Sequence, residues 1–137
     1  MLIGEIMSRE VRIARPTDNL LAAAKLMATI DSGVLPVGEN DRLVGILTDR
    51  DIIIRAVAEG RVPAHCRVGD IMSRDVKYVF EDQDTSDLCR NMLDHQIRRL
   101  PVLDRDERLV GIVSLGDLAT KQGGAHAEQA ISGVSRH

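Results

Sequence analysis

The stretch DRLVGILTDRDI, residues 41–52, returns 66 residues later as ERLVGIVSLGDL, residues 107–118. Six of the twelve positions are identical and four more are conservative. In both copies an apolar run with a central glycine leads to a hydroxyl residue, and an aspartate follows three positions later. This pattern predicts a strand that ends at the start of a helix. The chain therefore carries two copies of one strand-to-helix turn, and these turns either bind a ligand or only begin two helices.

The duplication extends to both sides of this turn. IMSREV, at residues 6–11, returns as IMSRDV at residues 71–76, and LPV at residues 35–37 returns at residues 100–102. Self-similarity at a fixed spacing is the signature of repeated structural units. Because half of this chain is marginal for an independent core, we expect the two repeats to pack together with pseudo-twofold symmetry.

The repeats have the same predicted order of elements, β-α-β-β-α, and therefore belong to the α+β class. The predicted boundaries are 2–60 for the first repeat, 61–67 for a connector, 68–121 for the second repeat and 122–137 for a tail that forms a short helix or frays. The predicted strands of the two repeats are 11–14, 34–37 and 43–47, then 76–80, 100–102 and 109–113. The last helix of the first repeat is expected to run from Asp49 to about Glu59 and to stop at Gly60. Pro36 and Pro101 lack an amide donor, so each is expected at a strand start or on an edge strand.

The composition excludes several classes of function. The 137 residues include one Tyr, one Phe and no Trp, so the core must be aliphatic, and base-stacking platforms for single-stranded nucleic acid are missing. The net charge of −3 with dispersed basic residues argues against a nucleic-acid partner. No apolar run approaches the thickness of a bilayer, and the start lacks the pattern of a signal peptide. These features predict a cytoplasmic protein without a membrane partner.

Metal chemistry and catalysis are not indicated by the sequence. Cys66 and Cys89 lie far apart without a metal-ligand pattern, and the four histidines are scattered. We expect two buried thiols in a reducing compartment, no metal site and no catalytic cofactor. No nucleophile–base pair or complete phosphate-transfer loop is present, so an enzyme is not expected.

The repeated turn has two physical interpretations. Thr48 with Asp51, and Ser114 with Asp117, have the spacing of capping boxes, which only stabilise a helix start. A helix start also presents free amides to a phosphate, and a carboxylate one turn inside can accept both hydroxyls of a ribose. Spacing alone does not separate these alternatives.

The paired IMS openings, the paired LPV strands and the paired glycine-to-aspartate turns resemble cystathionine-β-synthase (CBS) domains over about residues 2–121. The resemblance implies a tandem pair, often called a Bateman module, with two clefts that bind AMP, ADP, ATP, S-adenosylmethionine or NAD. It also implies nucleotide-binding roles for three groups of residues. The turns would contribute Thr48, Arg50, Asp51, Ser114 and Asp117; the opening segments of the opposite repeats would contribute Asp70, Met72 and Val76, and Glu5, Met7 and Val11; the strand entrances would contribute Gly33, Val34, Ile97, Arg98 and Arg99.

The two copies differ where a phosphate would bind. The first turn offers Arg50, which Asp49 opposes, whereas the second turn has no cation of its own. The entrance to the second site has Arg98 and Arg99 where the first copy has Gly33 and Val34. Since arginine suits bidentate phosphate recognition, we expect the second site to be the better nucleotide site. The alternative is that the two arginines are simply a solvated strand entrance.

The expected function is a regulatory or sensor module that binds an adenine nucleotide and acts on an unidentified partner. The resemblance also implies a homodimer formed through helices, and the apolar run at residues 52–54 suits burial against a second copy. The alternative is a dimerisation or protein-interaction module with unoccupied clefts.

Overall fold

The protein has a mixed α/β architecture, which confirms the predicted α+β class. A computed structural model describes residues 1–95 and 98–122 of the chain. The helices are α1 (Ile3–Ile6), α2 (Leu20–Ile30), α3 (Asp49–Asp51), α4 (Val68–Ile71), α5 (Thr85–His95) and α6 (Leu115–Asp117). The strands are β1 (Val34–Glu39), β2 (Arg42–Thr48), β3 (Val79–Phe80), β4 (Arg99–Leu103) and β5 (Leu109–Ser114). A 3₁₀ turn spans Pro63–His65, and π-helical turns follow α3 at Ile52–Val57 and α6 at Leu118–Gln122.

The chain divides into two compact units that cut across the repeats. One unit is Arg12–Val76, and the other combines Met1–Val11 with the chain from Lys77 onward. Helix α1 is therefore packed with the hairpin of the second repeat, and α4 is packed with the hairpin of the first. Each repeat gives its opening segment to the other repeat's core.

The unit Arg12–Val76 is built on the antiparallel hairpin of β1 and β2. The register runs from Val34 opposite Thr48 to Glu39 opposite Arg42, with an irregularity between Val37 and Gly38. Asn40 and Asp41 both have positive φ, as a two-residue hairpin turn of the primed type requires. Helix α2 begins where the Asn19 side chain accepts hydrogen bonds from the amides of residues 21 and 22. The hairpin turn and its register bring Thr48, the last residue of β2, opposite Val34.

The core of this unit is aliphatic, as predicted. The apolar stripe of α2 and the inner faces of both strands are buried together with the opening segment of the second repeat. Its most buried large side chains are Leu20, Leu35, Val37, Leu47, Val68 and Ile71.

The second unit contains a sheet with the order β3-β4-β5. Strands β4 and β5 form an antiparallel hairpin whose register runs from Arg99 opposite Ser114 to Leu103 opposite Leu109. Strand β3 adds a short parallel pairing at the end of β4. The core buries side chains from α1, α5 and this sheet, namely Ile3, Ile6, Val79, Leu88, Met92, Leu100 and Val113.

The first predicted strand of each repeat is shorter than expected. In the first repeat only Ala14 pairs, in a bridge to Val37, because the Val11 amide turns back to bond the Arg9 carbonyl. In the second repeat the predicted strand 76–80 is reduced to Val79–Phe80. These segments therefore pair with a neighbouring strand through only one or two residues each.

The prolines lie inside strands rather than at their starts, and β4 is a central strand. Pro36 is opposite Ile46, whose carbonyl accepts the Ser73 amide at 2.8 Å, so this carbonyl needs no donor from the proline. Pro101 precedes the residues of β4 that pair with β3, which begin at Val102. Each proline therefore occupies a ladder position where its missing donor costs no hydrogen bond.

The helix after β2 is not a continuous α-helix. After α3 the hydrogen bonds shift to the wider π register, as in the bond from the Ala58 amide to the Ile53 carbonyl at 2.8 Å. Gly60 follows with φ +74°, which agrees with the predicted stop. None of the described helices is long and apolar enough to cross a bilayer. The expected tail structure lies outside the described residues beyond residue 122.

Candidate functional site

Both repeated turns form complete capping boxes. In the first turn the Asp51 amide donates to Thr48 Oγ1 at 3.0 Å, and the Thr48 amide donates to Asp51 Oδ2 at 3.0 Å. In the second turn the Asp117 amide donates to Ser114 Oγ at 3.1 Å, and the Ser114 amide donates to Asp117 Oδ2 at 2.9 Å. The capping interpretation is therefore confirmed for both copies.

Capping leaves acceptor capacity on the aspartates. A carboxylate has about four lone-pair positions, and the box uses one of them. The second oxygen of Asp51 accepts from Ser73 Oγ at 3.3 Å and lies 3.8 Å from Arg55 Nε. The Asp51 side chain is 12% exposed, so solvent or a ligand reaches part of it. Capping and ligand binding are thus chemically compatible in one residue set.

The glycine of each turn lies directly against an opening segment. A Cβ on Gly45 would lie 2.6 Å from Met72 Sδ and 3.0 Å from the Ser73 carbonyl oxygen. A Cβ on Gly111 would overlap Met7 Sδ and would lie 2.9 Å from the Ser8 carbonyl oxygen. Met72 and Met7 are both buried. The structure therefore brings these two methionines to the turns of the opposite repeats.

Backbone hydrogen bonds fix this arrangement in the same way in both copies. Ile46 and Ser73 exchange two amide–carbonyl bonds of 2.9 and 2.8 Å, and Ile112 and Ser8 exchange two of 2.9 and 2.8 Å. Ser8 and Ser73 were not among the predicted site residues. Their repetition within the IMS openings was the signal that could have identified them.

The strand entrances meet the first residue of each turn helix. The Asp49 amide donates to the Gly33 carbonyl at 2.9 Å, and the Leu115 amide donates to the Arg98 carbonyl at 2.9 Å. The backbones match, but the side chains do not. In the first copy an Asp49 oxygen would lie 2.7 Å from a Cβ on Gly33, so the carboxylate occupies the space that a side chain there would need.

Arg55 joins the turn helix to the opening segment of the second repeat. Its Nη1 lies 3.4 Å from the Ile71 carbonyl oxygen and 3.2 Å from that of Met72. Because its Nε faces Asp51, this arginine spans from the turn carboxylate to the end of α4. Sequence reasoning did not select Arg55; its position four residues after Asp51 on a helix was the available signal.

The other predicted residues lie in varied surroundings. Asp70 is exposed, and its carboxylate lies 3.6 Å from Arg61 Nη2. Ile97 lies outside the described residues. Four of the remaining predicted residues are exposed, namely Glu5, Arg50, Arg98 and Arg99. Three are partly buried, namely Val11, Val34 and Val76. Among the residues that the structure describes, no group of three or more His, Cys, Asp or Glu is arranged to hold a metal ion.

The residues that meet at each turn define two candidate sites. The first turn site comprises Gly33, Thr48, Asp51 and Met72 with their neighbours in the unit Arg12–Val76. The second turn site comprises the matching residues of the other unit, which are Arg98, Ser114, Asp117 and Met7.

Sequence comparison finds relatives across most of the chain. YhcV, a CBS domain-containing protein of Bacillus subtilis, is 39% identical over 120 residues, which are 88% of this chain and 84% of YhcV. Hypoxic response protein 1 of Mycobacterium tuberculosis is 39% identical over 116 residues, which are 84% of this chain and 80% of that protein. Protein MK0525 of Methanopyrus kandleri is 37% identical over 117 residues, and the chain spans only 60% of its length. None of these names states a catalytic activity.

Solved structures of similar fold include two with adenosine ligands. Hypoxic Response Protein I with two coordinated zinc ions has a TM-score of 0.79 at 37% identity, over 88% of this chain and 98% of that one. CBSX2 in complex with AMP has a TM-score of 0.74 at 26% identity, over 86% of this chain and 93% of that one. The CBS domain pair of MJ0100, in complex with 5′-methylthioadenosine and S-adenosyl-L-methionine, has a TM-score of 0.74 at 29% identity, over 87% and 93%.

The family profile of the CBS domain matches residues 3–57 and 68–124. These ranges contain both turns, both opening segments and both hairpins. The chain belongs to the CBS domain family and contains two CBS domains in tandem.

Proposed function

We propose that the protein is a non-catalytic regulatory module that binds adenine nucleotides at its two turn sites. The observation that carries this proposal is the matched geometry of the turns. Each places a hydroxyl, a helix start and a partly accessible carboxylate beside a glycine that an opening segment approaches closely. A phosphate is suited to the helix start, and ribose hydroxyls are suited to the carboxylate. The AMP and S-adenosylmethionine complexes of related CBS proteins support the ligand class.

The second turn site is the better nucleotide site in this proposal. Its entrance has Arg98 and Arg99, which are exposed, and its turn contains no acid besides Asp117. The first turn site has two acids, Asp49 and Asp51, whose charges Arg50 and Arg55 only balance. A guanidinium donates paired hydrogen bonds to a phosphate, so the second site has both more positive charge and better donors.

Isothermal titration with AMP tests this proposal on Asp51→Ala and Asp117→Ala. We expect the Asp117→Ala variant to lose at least tenfold more affinity than the Asp51→Ala variant. Equal losses would contradict the inequality of the sites. Because each substitution also removes a capping box, Thr48→Ala and Ser114→Ala provide matched controls for the contribution of helix capping to stability.

We also propose that the module acts as a homodimer through the helical face that follows the first turn. Ile53, Ile54 and Val57 are 57%, 50% and 56% exposed on this face. Beside them lies an apolar groove of 340 Å³ between α2 and the turn helix, lined in part by Met27 and Ile52. Contiguous exposed apolar surface of this kind is typical of interaction sites.

The same apolar face favours a second candidate function, an interaction module without a ligand. In that case the turns would only cap helices. Native mass spectrometry of the purified protein separates the two candidates, because it reports the number of chains and any retained nucleotide together. Dimers without nucleotide, and no thermal shift with AMP, ADP, ATP or NAD, would favour the interaction module.

A further inference from the structure

Besides Arg50, which has Gly116 as its counterpart, the first turn differs from the second in one pair of residues that meet across matching backbone. The amide–carbonyl bond between the strand entrance and the turn helix is 2.9 Å long in both copies. In the first copy this bond joins Gly33 and Asp49; in the second it joins Arg98 and Leu115. Because the backbone is the same in both copies, any difference in ligand binding that arises here comes from the side chains.

The Asp49 carboxylate lies at the start of the turn helix, where the proposed function puts a phosphate. It accepts the Arg50 amide on Oδ1 at 2.8 Å, so it uses one of the donors that a helix start offers to an anion. Its other oxygen fills the space left by the missing side chain of Gly33. The carboxylate thus removes an amide donor and adds a negative charge at the phosphate end of the site. Leu115 has no acceptor and no charge, so the second turn lacks both effects.

We propose that Asp49 makes the first turn site select adenosine derivatives that lack a 5′-phosphate, whereas the second turn site accepts phosphorylated ones. This inference rests on the proposed function, since it assumes that adenosine compounds bind at the turns. It narrows that function, because nucleotides would then bind at the second turn site and unphosphorylated adenosine derivatives at the first. Related CBS structures contain ligands of both classes, AMP in one and 5′-methylthioadenosine in another.

The test uses AMP and adenosine, which differ only in the phosphate, on variants of the 137-residue chain that each keep one turn site intact. The Asp117→Ala background removes the carboxylate of the second turn site, so binding there is expected to be lost and the first turn site is measured. We expect it to prefer adenosine over AMP by at least tenfold, as unfavourable charge interactions of this kind predict. Adding Asp49→Asn keeps the shape of the side chain and removes its charge, and it should reduce this preference to less than threefold by strengthening AMP binding alone. Asp49→Leu, which installs the residue of the second copy, should do the same.

The reciprocal change tests the second turn site in an Asp51→Ala background. Leu115→Asp should weaken AMP binding at least tenfold and leave adenosine binding within threefold. Circular dichroism and thermal melting confirm that each variant is folded before titration. Raising the salt concentration should reduce the difference between AMP and adenosine, because partly exposed charges are screened.

The possible results separate this inference from the proposed function. If AMP binds the first turn site as tightly as adenosine, and Asp49→Asn changes neither affinity, the inference is overturned and the proposed function stands. If the wild-type protein binds neither AMP nor adenosine, both are overturned. Recovery of AMP binding in the Asp49 variants, with adenosine unchanged, supports both.

Discussion

Close packing at the two turn glycines limits what these positions accept. Gly111 is buried, and an added Cβ would meet the carbonyl oxygen of Ser8, a residue whose amide and carbonyl both form backbone hydrogen bonds with Ile112. A backbone atom in this position cannot move aside as the end of a flexible side chain can. The site therefore needs glycine for contact between protein segments, apart from any contact with a ligand.

We expect Gly111→Ala to destabilise the protein by about 1–3 kcal/mol, which is typical of overpacking in a well-packed core. This loss corresponds to a melting temperature lowered by roughly 3–10 °C. Gly116→Ala is the matched control, because its Cβ would meet only Ser114 Oγ at 3.5 Å in ordinary contact. Since alanine favours helix, the control should melt at the same temperature or higher. Equal melting temperatures for the two variants would contradict the packing argument.

Arg55 holds two segments through bonds to neutral carbonyls rather than through an exposed ion pair. Arg55→Ala should therefore lower the free energy of unfolding by about 1–2 kcal/mol, and the loss should persist in 0.5 M salt. Arg90 pairs with Asp87 on the surface of α5, so Arg90→Ala should cost less than about 0.5 kcal/mol. Urea unfolding of both variants at low and high salt measures the difference. A loss that disappears at high salt would show that the charge interaction with Asp51 dominates instead.

At the scale of single elements, the β4–β5 connection is held by one carboxylate. The backbone amide of Arg108 donates to Asp104 Oδ1 at 2.9 Å and lowers the pKa of Asp104, and the Arg108 side chain adds to this effect. The hydrogen bond from Arg105 lowers the pKa of Asp82 in the same way. A folded-state pKa below the unfolded value stabilises the protein above the unfolded pKa, near 4. This stability is lost as the pH falls through the folded-state value.

We therefore expect the free energy of unfolding to decline between pH 5 and pH 2, and Asp104→Asn to make the decline shallower. Asparagine still accepts the Arg108 amide, but it does not titrate. Adding Asp82→Asn should flatten the profile further. Urea titrations at several pH values measure the slope, and an unchanged slope in the double variant would show that other carboxylates govern acid unfolding.

The sequence predicted most elements because their signals are local. The stripe of α2, the hairpins and the capping boxes depend on residues within a few positions of one another, such as Thr48 and Asp51. The π turn at Ile52–Val57 was missed because α- and π-helices share nearly the same apolar pattern and differ only in hydrogen-bond register. The pairing of Asp49 with Gly33 was missed because it joins positions sixteen residues apart, and its side-chain contact exists only after β1 and β2 pair.

At the scale of the whole molecule, the exchange of opening segments predicts crossed effects of mutation. Ile6 and Ile71 are fully buried at matching positions of the two openings. Ile6→Ala should expose the amides of β5 to hydrogen exchange, although residue 6 belongs to the first repeat. Ile71→Ala should expose those of β2. Each change should cost about 2–5 kcal/mol, in line with other truncations of core side chains.

Hydrogen exchange followed by mass spectrometry resolves these regions. If protection is lost in the hairpin of the mutated repeat and not in that of the other repeat, the proposed packing of each opening segment against the opposite hairpin is contradicted. The two variants control for each other, because they delete the same atoms from matching positions.

The proposed dimer predicts that a charge on the exposed helical face separates the chains. Ile54→Glu should convert the dimer to a monomer in light scattering at about 10 μM, because burying an unpaired carboxylate costs several kcal/mol. Tyr78→Glu introduces the same charge at a residue that is 40% exposed in the other unit, and it should leave the dimer intact. A monomeric wild-type protein would rule out the dimer. A dimer that Ile54→Glu leaves intact would show that its interface lies elsewhere.

The discontinuous unit has a consequence for synthesis on the ribosome. The unit Arg12–Val76 is contiguous, so it can complete its core as it emerges from the exit tunnel. Residues 3–7 emerge well before their partner strand β5, which is made about a hundred residues later; at roughly 5–20 residues per second this is a wait of about 5–20 s. During that interval Ile3, Ile6 and Met7 remain uncovered on the nascent chain. This opening segment is thus translated long before it can fold, and a slower ribosome lengthens the time for which its apolar side chains are exposed to aggregation.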